Sequence, residues 1–151
     1  MAQSLCKVYL HVVFHIKTTS PVVKDEHLEQ LHSYIGALVN TTGCQVLRMG
    51  GTGNHIHALM LFSRMETIAH VVEEMKRNSS RWIKTLSPYY EKFAWQGGYG
   101  VFSVSQSQVD TVINYIKNQA EHHKKQSFEE EYLEFLRLYQ IEYDERYVFS
   151  D

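Results

Sequence analysis

Alternating apolar and polar residues along Lys7–Lys17 are typical of a strand. Side chains two residues apart on a strand point to the same face. One face is therefore predicted to be apolar, and it is formed by Val8, Leu10, Val12, Phe14 and Ile16. The opposite face carries Tyr9, His11, Val13, His15 and Lys17. The pattern predicts a half-buried strand that ends before Ser20-Pro21.

Apolar residues then recur at the spacing of a helix, at Leu28, Leu31, Ile35, Leu38 and Val39. Asp25 is expected to cap the start of this helix, and Gly43 is expected to end it. A second strand is predicted over Cys44–Met49. The chain is then expected to turn through Gly50-Gly51 into a third strand.

A second helix is predicted over about Glu66–Leu86, a fourth strand over Tyr99–Ser105 and a third helix over Gln106–Lys125. The order up to the fourth strand is strand, helix, strand, strand, helix, strand. This order predicts an α+β, ferredoxin-like (split βαβ) fold, in which an antiparallel sheet carries two helices on one face. The third helix is additional to that core.

The C-terminal segment differs in composition from the rest of the chain. It is predicted to be helical from Ser127 to about Ile141 and continues with three aromatic residues, Tyr143, Tyr147 and Phe149. These are too aromatic for a free tail, so this end is expected to pack against the body. Residues 127–151 are therefore interpreted as a helical, aromatic and acidic extension of a single domain formed by residues 1–126.

Composition narrows the class of protein. The 151 residues are 44% hydrophobic, which is enough for one domain with a buried core. No apolar run approaches the roughly 20 residues that span a bilayer, and Met1–Cys6 does not resemble a signal peptide. We expect a cytoplasmic protein with no membrane partner. Cys6 and Cys44 lie outside any C-x-x-C pattern, so neither a disulfide framework nor a zinc knuckle is predicted.

The net charge of −2 hides an uneven distribution. Residues 1–128 carry 13 Lys and Arg against 9 Asp and Glu, whereas residues 129–151 carry 2 Arg against 8 acids. Four of the basic residues fall in a stretch of nine positions without an acid: Lys76, Arg77, Arg81 and Lys84. An acidic tail therefore masks a mildly basic body, which is compatible with nucleic-acid binding.

Two histidines suggest a metal site. His55 and His57 alternate with apolar residues on the third strand, so both imidazoles should share one face. The alternative is a pair of surface or hydrogen-bonded core histidines. A divalent ion needs at least one more protein ligand, and Gln119 is a candidate through its amide oxygen. Imidazole chemistry by itself points as readily to zinc as to other ions.

Tyr115 lies one helical turn from Gln119, so a metal at that site would be close to its hydroxyl. A metal could polarise a phosphodiester while the hydroxyl attacks phosphorus. The product would be a phosphotyrosine, which stores the bond energy for rejoining and needs no nucleotide cofactor.

Five segments carry a family resemblance: Y-L-H-V-V-F-H-I-K from residue 9, G-N-H-I-H-A-L from residue 53, M-K-R-N-S-S-R-W-I-K from residue 75, W-Q-G-G-Y-G-V-F-S-V-S from residue 95 and N-Y-I-K-N-Q from residue 114. In this order and spacing the chain resembles the single-tyrosine HUH transposases of the insertion-sequence 200/605 type, including their REP-associated relatives. The resemblance covers nearly all of residues 7–125, and the C-terminal extension goes beyond it.

The resemblance implies that His55 and His57 are metal ligands, that Tyr115 is the nucleophile and that Gln119 completes the metal shell. It implies magnesium or manganese as the metal, and cleavage of single-stranded DNA at hairpin-bearing ends through a 5′-phosphotyrosine with a free 3′-hydroxyl. It also implies a homodimer, in which the tyrosine helix of one subunit often completes the site of the other.

Each candidate DNA-contacting residue also has an ordinary structural explanation. Lys76, Arg77, Arg81 and Lys84 suit phosphate contacts, although such a helix face is usually only solvated. Trp95 and Tyr99 are candidates for stacking on unpaired bases or for the aromatic core. His11 and His15 are expected to pack or to contact DNA, and His122 and His123 to be solvated. The second hypothesis is a catalytically silent protein that binds hairpin DNA.

Overall fold

The computed structural model describes residues 2–151. Four strands form one antiparallel sheet in the order β2-β3-β1-β4. The strands are β1 (Val8–His15), β2 (Gln45–Thr52), β3 (His55–Phe62) and β4 (Gly100–Val104). The helices are α1 (Asp25–Thr41), α2 (Ile68–Ile83), α3 (Val109–Lys117), α4 (Gln119–His122) and α5 (Phe128–Leu138), with short 3-10 turns at Pro88–Tyr90 and Gln106–Gln108. The predicted α+β, ferredoxin-like sheet is confirmed.

Helices α1 and α2 cover one face of the sheet. Their apolar sides meet the even-numbered residues of β1 and β3 in one core, which contains Leu10, Phe14, Leu31, Ile35, Ile56, Met60, Val72 and Met75. The face assignments made from the alternation are correct for both strands. Asp25 lies in the first turn of α1 and does not cap it, since Lys24 holds the cap position.

The other face of the sheet is covered as well, so the prediction of a half-buried β1 was wrong. His11 is 2% exposed and Val13 is fully buried. Helix α3 contributes Ile116 to this second layer, and α5 contributes the side chains that pack on Val13 and Phe102: Phe128, Tyr132 and Leu136. The alternation in β1 therefore separates two buried faces of different polarity.

The predicted turn at Gly50-Gly51 was also wrong. Both glycines belong to β2, where Gly50 pairs with His57 and Gly51 pairs with Ile56, and the chain reverses after Thr52. A Cβ at Gly50 would lie 2.6 Å from both Cγ2 and the carbonyl oxygen of Ile116. Gly50 thus permits the close approach of α3 to β2.

The long helix predicted over Gln106–Lys125 is divided. It begins as a 3-10 turn, continues as α3, and is interrupted at Asn118 (φ −99°, ψ 21°) before α4 starts at Gln119. Gln119 is 1% exposed. The interruption therefore stands directly before a buried amide side chain.

The C-terminal residues pack against the body in part, as expected. The ring of Phe149 lies 5.9 Å from the rings of both His15 and Tyr132, and Gln96 donates a hydrogen bond to the carbonyl of Ser150. Tyr143 and Tyr147 remain 45% and 62% exposed, so the expectation fails for them. No helix within residues 2–151 has the length and apolar character needed to span a membrane.

Candidate active site

His55 and His57 lie side by side on β3 and face the layer formed by α3, α4 and α5. Their ring centroids are 5.0 Å apart, and both residues are buried, at 1% and 0% exposure. They are far from solvent, yet both rings make polar contacts. The reading of surface histidines is therefore excluded, and their partners decide what the pair can do.

The two nitrogens of His55 each contact an acceptor. Nδ1 is 2.7 Å from Oδ1 of Asn54, and Nε2 is 2.9 Å from Oε1 of Gln119. Burial lowers the pKa of His55 well below its ordinary value, so the ring is neutral and has one N–H. One tautomer donates this hydrogen to Gln119; in the other, which donates it to Asn54, Nε2 and Oε1 of Gln119 present lone pairs toward one another. A cation satisfies such a pair.

His57 joins the strand to two further groups. Its Nδ1 is 2.7 Å from Nε2 of His11, and its Nε2 is 2.9 Å from Oε1 of Glu131. Burial, followed by the neighbouring His57, lowers the pKa of His11 well below its usual value. His11 therefore stands behind His57 as a neutral hydrogen-bond partner, the position from which such residues orient a metal-binding imidazole.

Tyr115 on α3 reaches the same cluster. Its ring centroid is 5.8 Å from that of His57, and its hydroxyl donates a hydrogen bond to Oε2 of Glu131. Burial, together with the hydrogen bond to the Glu131 carboxylate, raises the pKa of Tyr115 above its ordinary value. The phenol is thus neutral in this arrangement and has an acceptor for its proton in contact.

Glu131 is the residue that the sequence reasoning missed. It lies on α5, is 2% exposed, and also accepts a hydrogen bond from the amide of Gln119 at 3.1 Å. Burial alone raises the pKa of Glu131, but the hydrogen bonds from His57, Tyr115 and Gln119 outweigh it, so the net pKa lies below the usual value. The sequence feature that could have identified Glu131 is its position on the apolar side of an amphipathic helix, between Phe128 and Phe135.

His123 was predicted to be solvated, and this was wrong. Its side chain is 10% exposed, and its Nε2 lies 3.3 Å from Oε1 of Glu131. That nitrogen is buried and has no hydrogen-bond partner within residues 2–151. The ligand atoms of His55, His57, His123 and Glu131 all lie within 4.8 Å of one another. This donor set of three imidazoles and one carboxylate fits a divalent metal ion.

The four basic residues of α2 that were predicted to contact DNA differ from one another in their partners and exposure. Lys76 donates hydrogen bonds to the carbonyls of Gln96 and Gly98 at 2.7 and 2.6 Å, and burial lowers its pKa to about 8. Arg77 pairs with two acids of its own helix at 2.6 and 2.7 Å. Lys76 thus anchors the loop before β4, while Arg81 and Lys84 are exposed.

The two aromatic residues predicted to stack on bases, Trp95 and Tyr99, differ in exposure. Trp95 is 8% exposed, packs in the core and donates its indole N–H to Ser79 at 3.0 Å, so its ring is not presented for stacking on a base. Tyr99 is 40% exposed. A cleft of about 500 Å³ lies between α2 and the segment before β4, and its lining includes Lys17, Lys76, Arg77, Lys84 and Tyr99.

Solved structures of two other proteins share the fold of this chain. A candidate transposase from Deinococcus radiodurans R1 superposes with a TM-score of 0.60 at 20% identity, covering 79% of this chain and 98% of that one. A REP-associated tyrosine transposase bound to a REP hairpin gives a TM-score of 0.59 at 10% identity, covering 82% and 73%. The chain therefore has the fold of these DNA transposases.

The family follows from the sequence itself. Residues 4–119 match the family model of IS200-like transposases, and the chain belongs to this family. The predicted resemblance is confirmed, and the protein is a DNA transposase in the sense of that family. No curated protein matches the chain. The family match ends at residue 119, before His123 and Glu131.

Proposed function

We propose that the protein is a metal-dependent DNA strand transferase in which Tyr115 is the nucleophile and His55, His57 and Gln119 hold the metal. One observation carries the proposal. The Tyr115 hydroxyl donates to one carboxylate oxygen of Glu131, while the other oxygen is 2.9 Å from Nε2 of His57. The nucleophile and the imidazole pair therefore meet at one buried carboxylate.

The chemistry is an in-line displacement at phosphorus. The phenolic oxygen of Tyr115 forms a bond to phosphorus, and the bond from phosphorus to the 3′-oxygen breaks. The phenolic proton passes to the contacting carboxylate of Glu131, and the 3′-oxygen takes a proton from water to become a free hydroxyl. The 5′-phosphotyrosine retains the bond energy, so a second 3′-hydroxyl can reverse the step without a nucleotide cofactor. A bound divalent ion would polarise the phosphodiester and offset its developing charge.

Access to the hydroxyl favours unpaired DNA. A pocket of about 360 Å³ reaches Tyr115 between α3 and α5, with Thr111, Phe135 and Tyr139 in its wall. A pocket of this size and aromatic character suits one unstacked nucleotide and excludes a duplex. We therefore propose that the strand to be cleaved enters single-stranded.

Hairpin recognition is proposed for the surface on α2. Lys84 and the partly exposed Tyr99 line the basic cleft, and Arg81 is exposed on the same helix. These side chains suit phosphate contacts and base stacking. One structural neighbour is bound to a REP hairpin, which supports DNA of this kind as the partner. We assign residues 1–126 to the catalytic body and residues 127–151 to its extension.

The oligomer proposed is a homodimer, as the family resemblance implies. Within one chain, the Tyr115 ring lies 5.8 Å from the ring of His57 on β3. This contact supports a site that each subunit completes for itself.

The proposal is tested by covalent capture of DNA. The full chain is incubated with a single-stranded hairpin oligonucleotide and Mn²⁺, and a protein–DNA adduct is sought on a denaturing gel. The adduct should be absent in Tyr115→Phe. It should be present in the control Tyr143→Phe, because Tyr143 is an exposed tyrosine outside the histidine cluster. Hairpin binding without any adduct in the parent protein would instead identify a silent DNA-binding relative.

A further inference from the structure

We propose that Glu131 and His123 are protein ligands of the divalent metal, so that the C-terminal extension completes the metal site. The inference rests on the proposed function, because it assumes that His55 and His57 bind a metal. It extends that function to two residues that follow the family match, which ends at residue 119.

The first argument is the burial of an acid among histidines. Glu131 is 2% exposed, and every ion-pair partner it has within residues 2–151 is a histidine. Proteins accept a carboxylate this far from water where it is paired or binds a metal. Carboxylate and imidazole side chains are both metal ligands, so a cation bound by these histidines would lie next to the acid.

The second argument is the unsatisfied nitrogen of His123. A side chain that is nine-tenths buried loses water, and its Nε2 gains no hydrogen bond in return among the described residues. Leaving such an atom without a partner destabilises the folded state, because its lost hydration is not replaced. The nitrogen lies 3.3 Å from Oε1 of Glu131 without a hydrogen bond between them, and a cation bound by both atoms would satisfy them.

The third argument is distance. Three Nε2 atoms surround Oε1 of Glu131, from His57 at 2.9 Å, from His123 at 3.3 Å and from His55 at 3.8 Å. Ligand atoms about 2.1 Å from one ion lie roughly 3.0–3.4 Å from each other in octahedral or tetrahedral geometry. His57 and His123 are thus close to ligand spacing from Oε1, and His55, at 3.8 Å, needs only a small shift to reach it.

The arrangement also couples the metal to the nucleophile. Oε1 of Glu131 faces the imidazoles, whereas Oε2 accepts the hydrogen bond from Tyr115. Glu131 therefore sets the distance between the metal and the phenol. Three imidazoles and one carboxylate favour Mn²⁺ or a later transition metal over Mg²⁺, which prefers oxygen ligands.

The test measures Mn²⁺ binding by the full chain, without DNA, using titration calorimetry and electron paramagnetic resonance. Glu131→Gln should weaken Mn²⁺ binding at least about ten-fold. Glu129→Gln is the matched control, because it removes an exposed carboxylate from the same helix. Pulsed spectra of bound Mn²⁺ should show three coordinated imidazoles in the parent protein and two in His123→Gln, with His70→Gln unchanged.

The outcomes separate this inference from the proposed function. If His57→Ala abolishes Mn²⁺ binding while Glu131→Gln and His123→Gln bind as the parent does, the inference is overturned and the proposed metal site stands. If the parent protein fails to bind Mn²⁺, or if His57→Ala binds it normally, the metal site assumed in the proposed function is refuted. Circular dichroism checks that each variant is folded. If Glu131→Gln is unfolded, the number of coordinated imidazoles in His123→Gln decides whether the extension contributes a metal ligand.

Discussion

Gly50→Ala should weaken both the fold and the active site, because Gly50 lies where α3 touches the sheet. The added Cβ would be 2.6 Å from Cγ2 and from the carbonyl oxygen of Ile116. Ordinary carbon contacts are about 3.5–4.0 Å, so the separation must grow by roughly 1 Å. A side chain can rotate away from this contact, but the carbonyl belongs to the helix backbone, so α3 itself must move.

The expected cost follows from overpacking, which typically destabilises by about 1–3 kcal/mol. The upper part of that range applies here, because a backbone atom blocks relaxation. Tyr115 directly precedes Ile116, so its hydroxyl moves with the helix. A misplacement of about 1 Å at a reacting group can cost about 10²-fold in rate. Adduct formation by Gly50→Ala should therefore fall much further than its stability suggests.

Urea unfolding gives the free energy, and the denaturing-gel assay gives the rate. Gly36→Ala is the matched control, because the new Cβ would meet only ordinary contacts of 3.5 and 3.7 Å inside α1, away from the site. Gly97→Ala is a second control for stability alone, because a Cβ there meets no described atom within 4 Å but Gly97 lines the basic cleft. Equal stability and equal adduct formation in Gly50→Ala and Gly36→Ala would refute the close packing of α3 on β2.

Three further predictions concern titration, metal and DNA. Burial, and then the charge of Arg48, lowers the pKa of His32 to about 4 from 6.5. The native state therefore favours the neutral ring, and the unfolding free energy should be greatest above pH 6.5 and fall by up to about 3 kcal/mol toward pH 4. In His32→Leu, urea titrations should show a smaller fall in unfolding free energy between pH 6.5 and pH 4. A pH profile equal to that of the parent protein would contradict the prediction. Removing divalent ions with a chelator should lower the melting temperature, and Mn²⁺ should restore it more effectively than Mg²⁺; equal rescue by both ions would argue against imidazole ligands. Arg81→Ala and Lys84→Ala should each weaken hairpin binding and reduce the salt slope by about 1, whereas unchanged slopes would remove α2 from the DNA surface.

The sequence by itself determined the sheet and half of the candidate site. Alternation in β1 and β3 assigned each side chain to a face, because strand geometry has a period of two and depends only on local backbone. The same geometry put His55 and His57 together. The family resemblance added Tyr115 and Gln119, whose side chains both contact Oε2 of Glu131 even though the helix is interrupted at Asn118.

The tertiary structure decided what packs on the polar face of the sheet. Glu131 meets His57 across 74 positions of sequence, and no local pattern encodes that contact. The same reason explains Gly50, whose role is set by a helix some 65 residues later, and Trp95, whose partner Ser79 makes it a core residue. Periodicity reports that a face is buried or polar, but only the assembled fold brings a distant carboxylate to it, because that contact depends on how whole helices dock.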